Sequence, residues 1–283
     1  MIIDFHTHIV PPEIIKNRDQ YFDSEPAFKL LYDSPKSKLV TAEDLIQMMD
    51  EQEIDWSVTF GFPWINPDLF SWNNDYVAEA VAKYPNRLKG FGCFDLYNSQ
   101  VAQETERCLK NGLCGFGELA FYQTGIDDKA LDLLEPVMTI SRAHNLPVSI
   151  HTNEPVGHQY PGKTPITLNQ IYQLAQRYPD NKIVLAHWGG GIFFYMLMKR
   201  HVKQTLKNIY YDIAASPYLY DNEIYKVATE LLGDEKILLA SDYPLIKPAR
   251  YLKEISDSGL SETQIAAIQG LNAAKLLNID DKL

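Results

Sequence analysis

The 283-residue sequence predicts a (β/α)8 barrel formed as one domain over 1–283. Three observations carry that prediction. Eight short apolar runs alternate with longer stretches of helical periodicity. They recur roughly every 30 residues, as strand–helix units of a barrel do. Several of them end on a polar residue able to bind a metal, which suits strands whose carboxyl ends converge on one face.

Residues 1–6 read as the first strand, continued by His6-Thr7-His8. Residues 11–38, rich in Pro, Lys, Asp and aromatics, lack clear periodicity and read as an insertion after it. Thr41 suits the N-cap of a helix in which Leu45, Ile46, Met48 and Met49 share a face. Trp56 to Phe60 follows as strand two, then 61–66 as an aromatic loop. A helix over 70–84 stops at Tyr84-Pro85-Asn86. Strand three is expected over 88–94, and a helix over 98–111 closed by Asn111-Gly112. Strand four is expected over 114–118, where glycines make propensity a weak guide. A helix over 128–143, strand five over 147–151 and a helix over 167–177 continue the alternation. The unbroken apolar run of strand six, 183–187, suits burial on both faces, as in a parallel sheet. Gly189, Gly190 and Gly191 are expected to open a helix over 192–205. Strand seven over 209–213, a helical stripe through Ile224, Ala228 and Leu231, and strand eight over 236–242 complete the set. Helices over 249–257 and 262–277 follow, the second signalled by the capping box from Ser261 to Gln264. A doubly wound open sheet shares this alternation, but no G-x-G-x-x-G stands between a first strand and a first helix.

Composition narrows the function. A net charge of −11 and a pI near 5.1 argue against a nucleic-acid or anionic-membrane partner. No apolar stretch reaches the ~18 residues of a membrane span, and the N-terminus has no basic leader pattern. Three cysteines without C-x-x-C spacing read as free thiols, so a cytoplasmic setting is expected.

The chemistry lies at the strand ends. Period-2 alternation sends His6 and His8 to one side of strand one. Strand five delivers His151, strand six His187, and strand eight Asp242. Imidazoles with one or two carboxylates suit Zn2+ and, less selectively, Mn2+, Fe2+ or Ni2+. Glu118 at the end of strand four belongs to the same face, as a further ligand or a bridge between two ions. His158 and Lys163, in the loop after strand five, are candidates to contact an anionic small-molecule substrate. Trp64 and Trp188, just beyond strands two and six, are candidates to line its pocket. Arg250, Tyr218 and Tyr220 are weaker candidates of the same kind, whereas His144 and His201, the latter expected in mid-helix, read as structural.

With these pieces in view the chain resembles the amidohydrolase superfamily of metal-dependent barrel enzymes. It is most similar to the amidohydrolase-2 group, which includes aminocarboxymuconate-semialdehyde decarboxylase-like proteins. The matching segments are Asp4-Phe-His-Thr-His8, His151-Thr-Asn-Glu-Pro155, Leu185-Ala-His-Trp-Gly-Gly190, Ala240-Ser-Asp-Tyr-Pro244 and Asn272-Ala-Ala-Lys-Leu-Leu277. The resemblance implies that His6, His8, His151 and Asp242 bind metal and that Asp242 also takes a proton from bound water. It implies for His187 either a ligand role with two ions or acid–base work with one. Glu118 departs from the lysine of many amidohydrolases and looks like the strand-four carboxylate of the TatD-like branch. One or two ions and a homodimer follow as family expectations. The expected activity is hydrolysis of a small amide, ester or lactone by metal-activated water. The alternative is a non-oxidative decarboxylase or hydratase acting on an unsaturated or aromatic carboxylic acid.

Overall fold

The structure is a computed structural model that describes residues 1–198 and 201–279. Its strands are β1 (Ile3–His8), β2 (Trp56–Phe60), β3 (Leu88–Gly90), β4 (Phe116–Leu119), β5 (Pro147–Ile150), β6 (Lys182–Leu185), β7 (Ile209–Asp212) and β8 (Ile237–Leu238). Its helices are α1 (Pro12–Lys16), α2 (Pro26–Tyr32), α3 (Ala42–Glu51), α4 (Pro67–Lys83), α5 (Val101–Lys110), α6 (Asp128–Ala143) and α7 (Leu168–Arg177). After these come α8 (Val202–Thr205), α9 (Ser216–Leu219), α10 (Glu223–Leu232), α11 (Pro248–Asp257), α12 (Glu262–Ala266) and α13 (Asn272–Leu277).

All strand pairs are parallel, in the orders β1-β2-β3 and β4-β5-β6-β7-β8. Backbone hydrogen bonds join the two sheets at both seams. Cys114 N donates to Gly90 O at 2.9 Å and Gly117 N to Gly92 O at 2.8 Å. On the other side Phe5 N donates to Leu239 O, His8 N to Tyr243 O (both 2.8 Å) and Asp242 N to His6 O (2.9 Å). The ring of eight is therefore closed, and the expected barrel is found. Phe5, Val58, Phe60, Phe91, Val184, Leu238 and Ala240 pack together as a plug of buried side chains from the strands and the segments that follow them. A second, larger core fills the space between strands and helices. Among the described residues no helix is long and apolar enough to cross a membrane.

The departures from expectation have local causes. β8 keeps only two residues because its continuation, 239–243, pairs with β1 and with Ile268 rather than extending a ladder to β7. The expected helix over 192–205 is a 3-10 segment over His187–Leu197 followed by the short α8. Residues 187–191 all have positive φ, between 55° and 86°. A Cβ on Gly190 would lie 2.4 Å from Asn153 O, so the glycine serves close approach to the β5 loop, not helix initiation. His201 precedes α8 at φ 50° instead of standing in mid-helix.

Residues 11–38 form α1, a 3-10 turn over Arg18–Tyr21, and α2. The segment is clamped to the loop after β2: the buried Glu25 carboxylate accepts Ile65 N and Asn66 N at 2.9 Å each. Phe28 packs against Phe62 and Trp64 with ring centroids 5.4 and 4.5 Å away. This clamp delivers Tyr32, one helical turn beyond Phe28, to the carboxyl end of β1.

A polar chain ties the outer helices to the β3–β4 seam. Glu104 on α5 accepts from Arg107 Nε at 2.7 Å, from Asn74 Nδ2 at 2.7 Å and from Ser71 Oγ at 3.1 Å. Asn74 in turn accepts Cys93 N at 2.9 Å, and Cys93 Sγ donates to Glu118 O at 3.2 Å. Burial pushes Glu104 up, but Arg107, Asn74 and Ser71 outweigh it and hold the carboxyl below its ordinary value of 4.5. A depressed carboxylate contributes stability that is present above that value and lost as pH falls through the folded one. Thermal unfolding between pH 5 and 3 should therefore show a smaller loss of midpoint in Glu104→Gln than in the native chain. Parallel curves for the two proteins would contradict this account of the network.

Candidate metal centre

Six side chains from five strand ends meet at the carboxyl face of the barrel. His6, His8 and Glu118 form one donor group, and Glu118, His151 and His187 another, each with its ligand atoms within 4.8 Å of one another. Asp242 joins the first, its Oδ1 standing 3.2 Å from His8 Nε2 and 3.6 Å from His6 Nε2. The Glu118 carboxylate is shared by direction. Its Oε1 lies 3.0 Å from His151 Nδ1 and 3.4 Å from His187 Nε2, while Oε2 lies 3.7 Å from His6 Nε2.

Local backbone irregularities aim these groups. The β1–β2 register slips by one residue between Asp4 and Thr7, the β4–β5 register likewise between Phe116 and Leu119. Such bulges turn a side chain out of the regular pleat, and here they fall at His6 and Glu118. His187 (φ 55°) and Asp242 (φ 57°) occupy the left-handed region, sparsely populated by residues with a Cβ and met most often at functional sites.

Hydrogen bonds to the outward ring nitrogens define what faces inward. His6 Nδ1 meets Asp212 Oδ2 at 2.9 Å, His8 Nδ1 meets Gly61 O at 3.2 Å, and His187 Nδ1 meets Ala214 O at 3.1 Å. His151 is turned the other way, with Nε2 against Gly162 O at 2.9 Å. Each of these partners only accepts, so each outward nitrogen carries the hydrogen, and a neutral ring presents its lone pair to the cluster. Four lone pairs and two carboxylates thus share one small volume. His6 Nε2 and His8 Nε2 stand 3.1 Å apart, close to the ~3.3 Å between ligands 2.0–2.1 Å from a tetrahedral ion. The residues present fit a divalent cation.

The electrostatics agree. Burial opposes charge on His6, yet Glu118, Asp212 and Asp242 raise it to about 10. Burial likewise opposes charge on His187, and Glu118 above all raises it to about 9. Burial pushes Glu118 and Asp242 up, but the surrounding imidazoles hold both below the usual carboxylate range. Asp212 is an orienting group that the sequence reading missed. It is fully buried at the end of β7, with Oδ2 on His6 and Oδ1 accepting His187 N (2.9 Å) and Ala214 N (3.0 Å). Its signal was present, because Ile209-Tyr-Tyr-Asp212 ends an apolar run on a carboxylate as strand eight does.

Other expected site residues lie elsewhere. Lys163 Nζ is held by Glu154 Oε1 (2.7 Å) and Val156 O (2.6 Å), so it braces its own loop. His158 is exposed on that loop. Trp64 and Trp188 are fully buried, their indole N–H groups given to Asn73 Oδ1 (2.9 Å) and Ser216 Oγ (2.6 Å), and both are packed as core. Arg250 is paired with Glu254 at 2.6 Å, Tyr218 is exposed and Tyr220 largely buried. A recess of about 10 Å3, room for about one water, adjoins His8 and is walled by Tyr32, Leu39, Val40 and Phe62. Leu39 and Val40 separate it from a pocket of about 380 Å3 that also touches Arg18, Lys38 and Tyr243.

Fold and site together define an α/β-barrel metalloenzyme type, with imidazole and carboxylate donors at the carboxyl ends of parallel strands. The chain belongs to the amidohydrolase family, whose model matches residues 3–279, and it is an enzyme of the amidohydrolase superfamily. It is 25% identical to 2-amino-3-carboxymuconate-6-semialdehyde decarboxylase of Dictyostelium discoideum, across 98% of this chain and 92% of that protein. It is also 25% identical to gamma-resorcylate decarboxylase of a Polaromonas species, across 73% of this chain and 75% of that one. In fold it is similar to 5-carboxyvanillate decarboxylase of Novosphingobium aromaticivorans, solved with manganese and 4-hydroxy-3-methoxy-5-nitrobenzoic acid. That likeness has a TM-score of 0.77 at 16% identity, covering 99% of this chain and 96% of the other. The expectation of a hydrolase acting on an amide, ester or lactone is corrected by these findings: the relatives that share most of the chain are decarboxylases. The physical reason is that the donor set fixes where a cation sits, whereas the reaction depends on what the loops present to it.

The bulge at Glu118 gives a test of how the site is built. Gly117 has φ 133°, and a Cβ there would lie 2.5 Å from Ser149 O, whereas at Gly112 (φ 88°) nothing lies within 4 Å. Gly112→Ala should cost about 1 kcal/mol of positive-φ strain, and Gly117→Ala about 3 kcal/mol because backbone must also move. Equal losses in denaturant melts would contradict this reading of β4.

Proposed function

We propose that this chain is a metal-dependent, non-oxidative decarboxylase of an aromatic or unsaturated carboxylic acid. The observation that carries this reading is the inward-facing set of four imidazoles and two carboxylates, in a chain whose nearly full-length relative is a decarboxylase. In this reading His6, His8, Asp242 and Glu118 hold a divalent ion, and His151 completes the set from the opposite side of Glu118. Mixed imidazole and carboxylate donors suit Mn2+ as well as the Zn2+ expected from the histidines, and manganese in the structural neighbour supports Mn2+. A bound ion would neutralise the carboxylates and polarise substrate oxygens that face it.

His187 is the proton donor in this proposal. Its Nδ1 is fixed by Ala214 O and its Nε2 faces the cluster, which aims any proton there at a bound acid. The proton goes to the ring or vinylic carbon that bears the carboxylate. The bond between that carbon and the carboxylate then breaks, its electron pair returns to the unsaturated system, and CO2 leaves. The balance is RCO2− plus H+ giving RH plus CO2, with His187 reprotonated from solvent. Asp212 holds His6, and through His187 N also the start of the donor's own turn. Three unpaired cysteines, two of them buried, suit a cytoplasmic setting.

CO2 release from 2,6-dihydroxybenzoate, 5-carboxyvanillate and an amino-carboxymuconate semialdehyde tests the reading on chelator-stripped protein reloaded with Mn2+. Turnover of at least one acid is expected, dependent on the ion. His187→Asn should keep its metal content and lose about 10²–10⁴-fold in rate. Metal-loaded protein that releases CO2 from none of these acids would sink the proposal.

A further inference from the structure

Two phenols at the mouth of the cluster have no role so far. Tyr32 comes from α2 and walls the recess beside His8, packed on Phe28 and Phe62 with centroids 4.9 and 6.0 Å away. Tyr122 comes from the loop after β4, and its ring lies over His151 at 6.2 Å and 28°. They approach from two separate elements, and neither hydroxyl has a hydrogen-bond partner among the described residues. A phenol keeps its proton at neutral pH, so both are able to donate.

Among the described residues, no lysine or arginine is paired with the carboxylates of the cluster: the charged partners of Glu118 and Asp242 are all histidines, and Lys163 is committed to Glu154. Resting on the decarboxylase reading, we infer that Tyr32 and Tyr122 are specificity-determining residues whose O–H groups orient the carboxylate of the bound acid. Neutral donors suit this reaction. The carboxylate loses its charge as CO2 forms, so a cation gripping it would stabilise the starting acid more than the transition state. A phenol gives direction with a weaker hold.

Calorimetric binding to Mn2+-loaded protein separates this role from mere packing, using 2,6-dihydroxybenzoate and resorcinol, the same ring without the carboxylate. Tyr32→Phe and Tyr122→Phe should each keep full metal content and weaken the acid about tenfold. Resorcinol binding should change less than twofold, and where turnover is measurable KM should rise more than kcat falls. Equal weakening of both compounds, or of neither, overturns the assignment. So does native metal-loaded protein that binds neither compound. If the native chain binds the acid, releases no CO2, and still shows the selective loss in both variants, the phenol assignment stands while the decarboxylase reading fails.

Discussion

The interaction on which the rest depends is an unfavourable one. Four imidazoles, each with its outward nitrogen bound to an acceptor, turn lone pairs toward Glu118 and Asp242 in a space shielded from water. Lone pairs facing carboxylates repel unless a positive charge stands between them. Without metal, protons supply it, which is why His6 and His187 hold theirs so far above the ordinary histidine value. A divalent ion supplies the same charge at one point. The fold is arranged to keep these donors from relaxing apart.

That restraint comes from closure of the barrel. Asp242 N donates to His6 O and His8 N to Tyr243 O, so the last strand segment and the first are locked at the level of the site. Asp4, fully buried below them, accepts Ser241 N at 2.9 Å and reinforces the seam. The bulges at His6 and Glu118 and the left-handed residues His187 and Asp242 are concentrated in the same layer. A regular ladder would aim these side chains around the ring. The irregularities bring them inward.

The sequence made most of this legible, for identifiable reasons. His6, His8, His151, His187 and Asp242 each end an apolar run, and parallel strands bring such ends together. Asp212 carried the same signal and was passed over. Tyr32 and Tyr122 carried none, because their positions follow from the Glu25 clamp and from loop packing between distant segments. The glycines after β6 were legible as a turn but not as a run of left-handed residues shaped by Asn153 O. The reaction was the least legible part. A donor set that can activate water for hydrolysis can equally anchor an acid for loss of CO2, and what weighs against hydrolysis is that the relatives sharing most of the chain are decarboxylases.

Titration calorimetry of Mn2+ into chelator-stripped protein at pH 7.5, repeated in buffers of different ionisation enthalpy, tests the central claim most directly. If protons stand where the ion belongs, binding is saturable and its heat varies with buffer, giving release of at least about one proton per ion. Saturable binding without proton release, or no binding at millimolar Mn2+, would contradict the account.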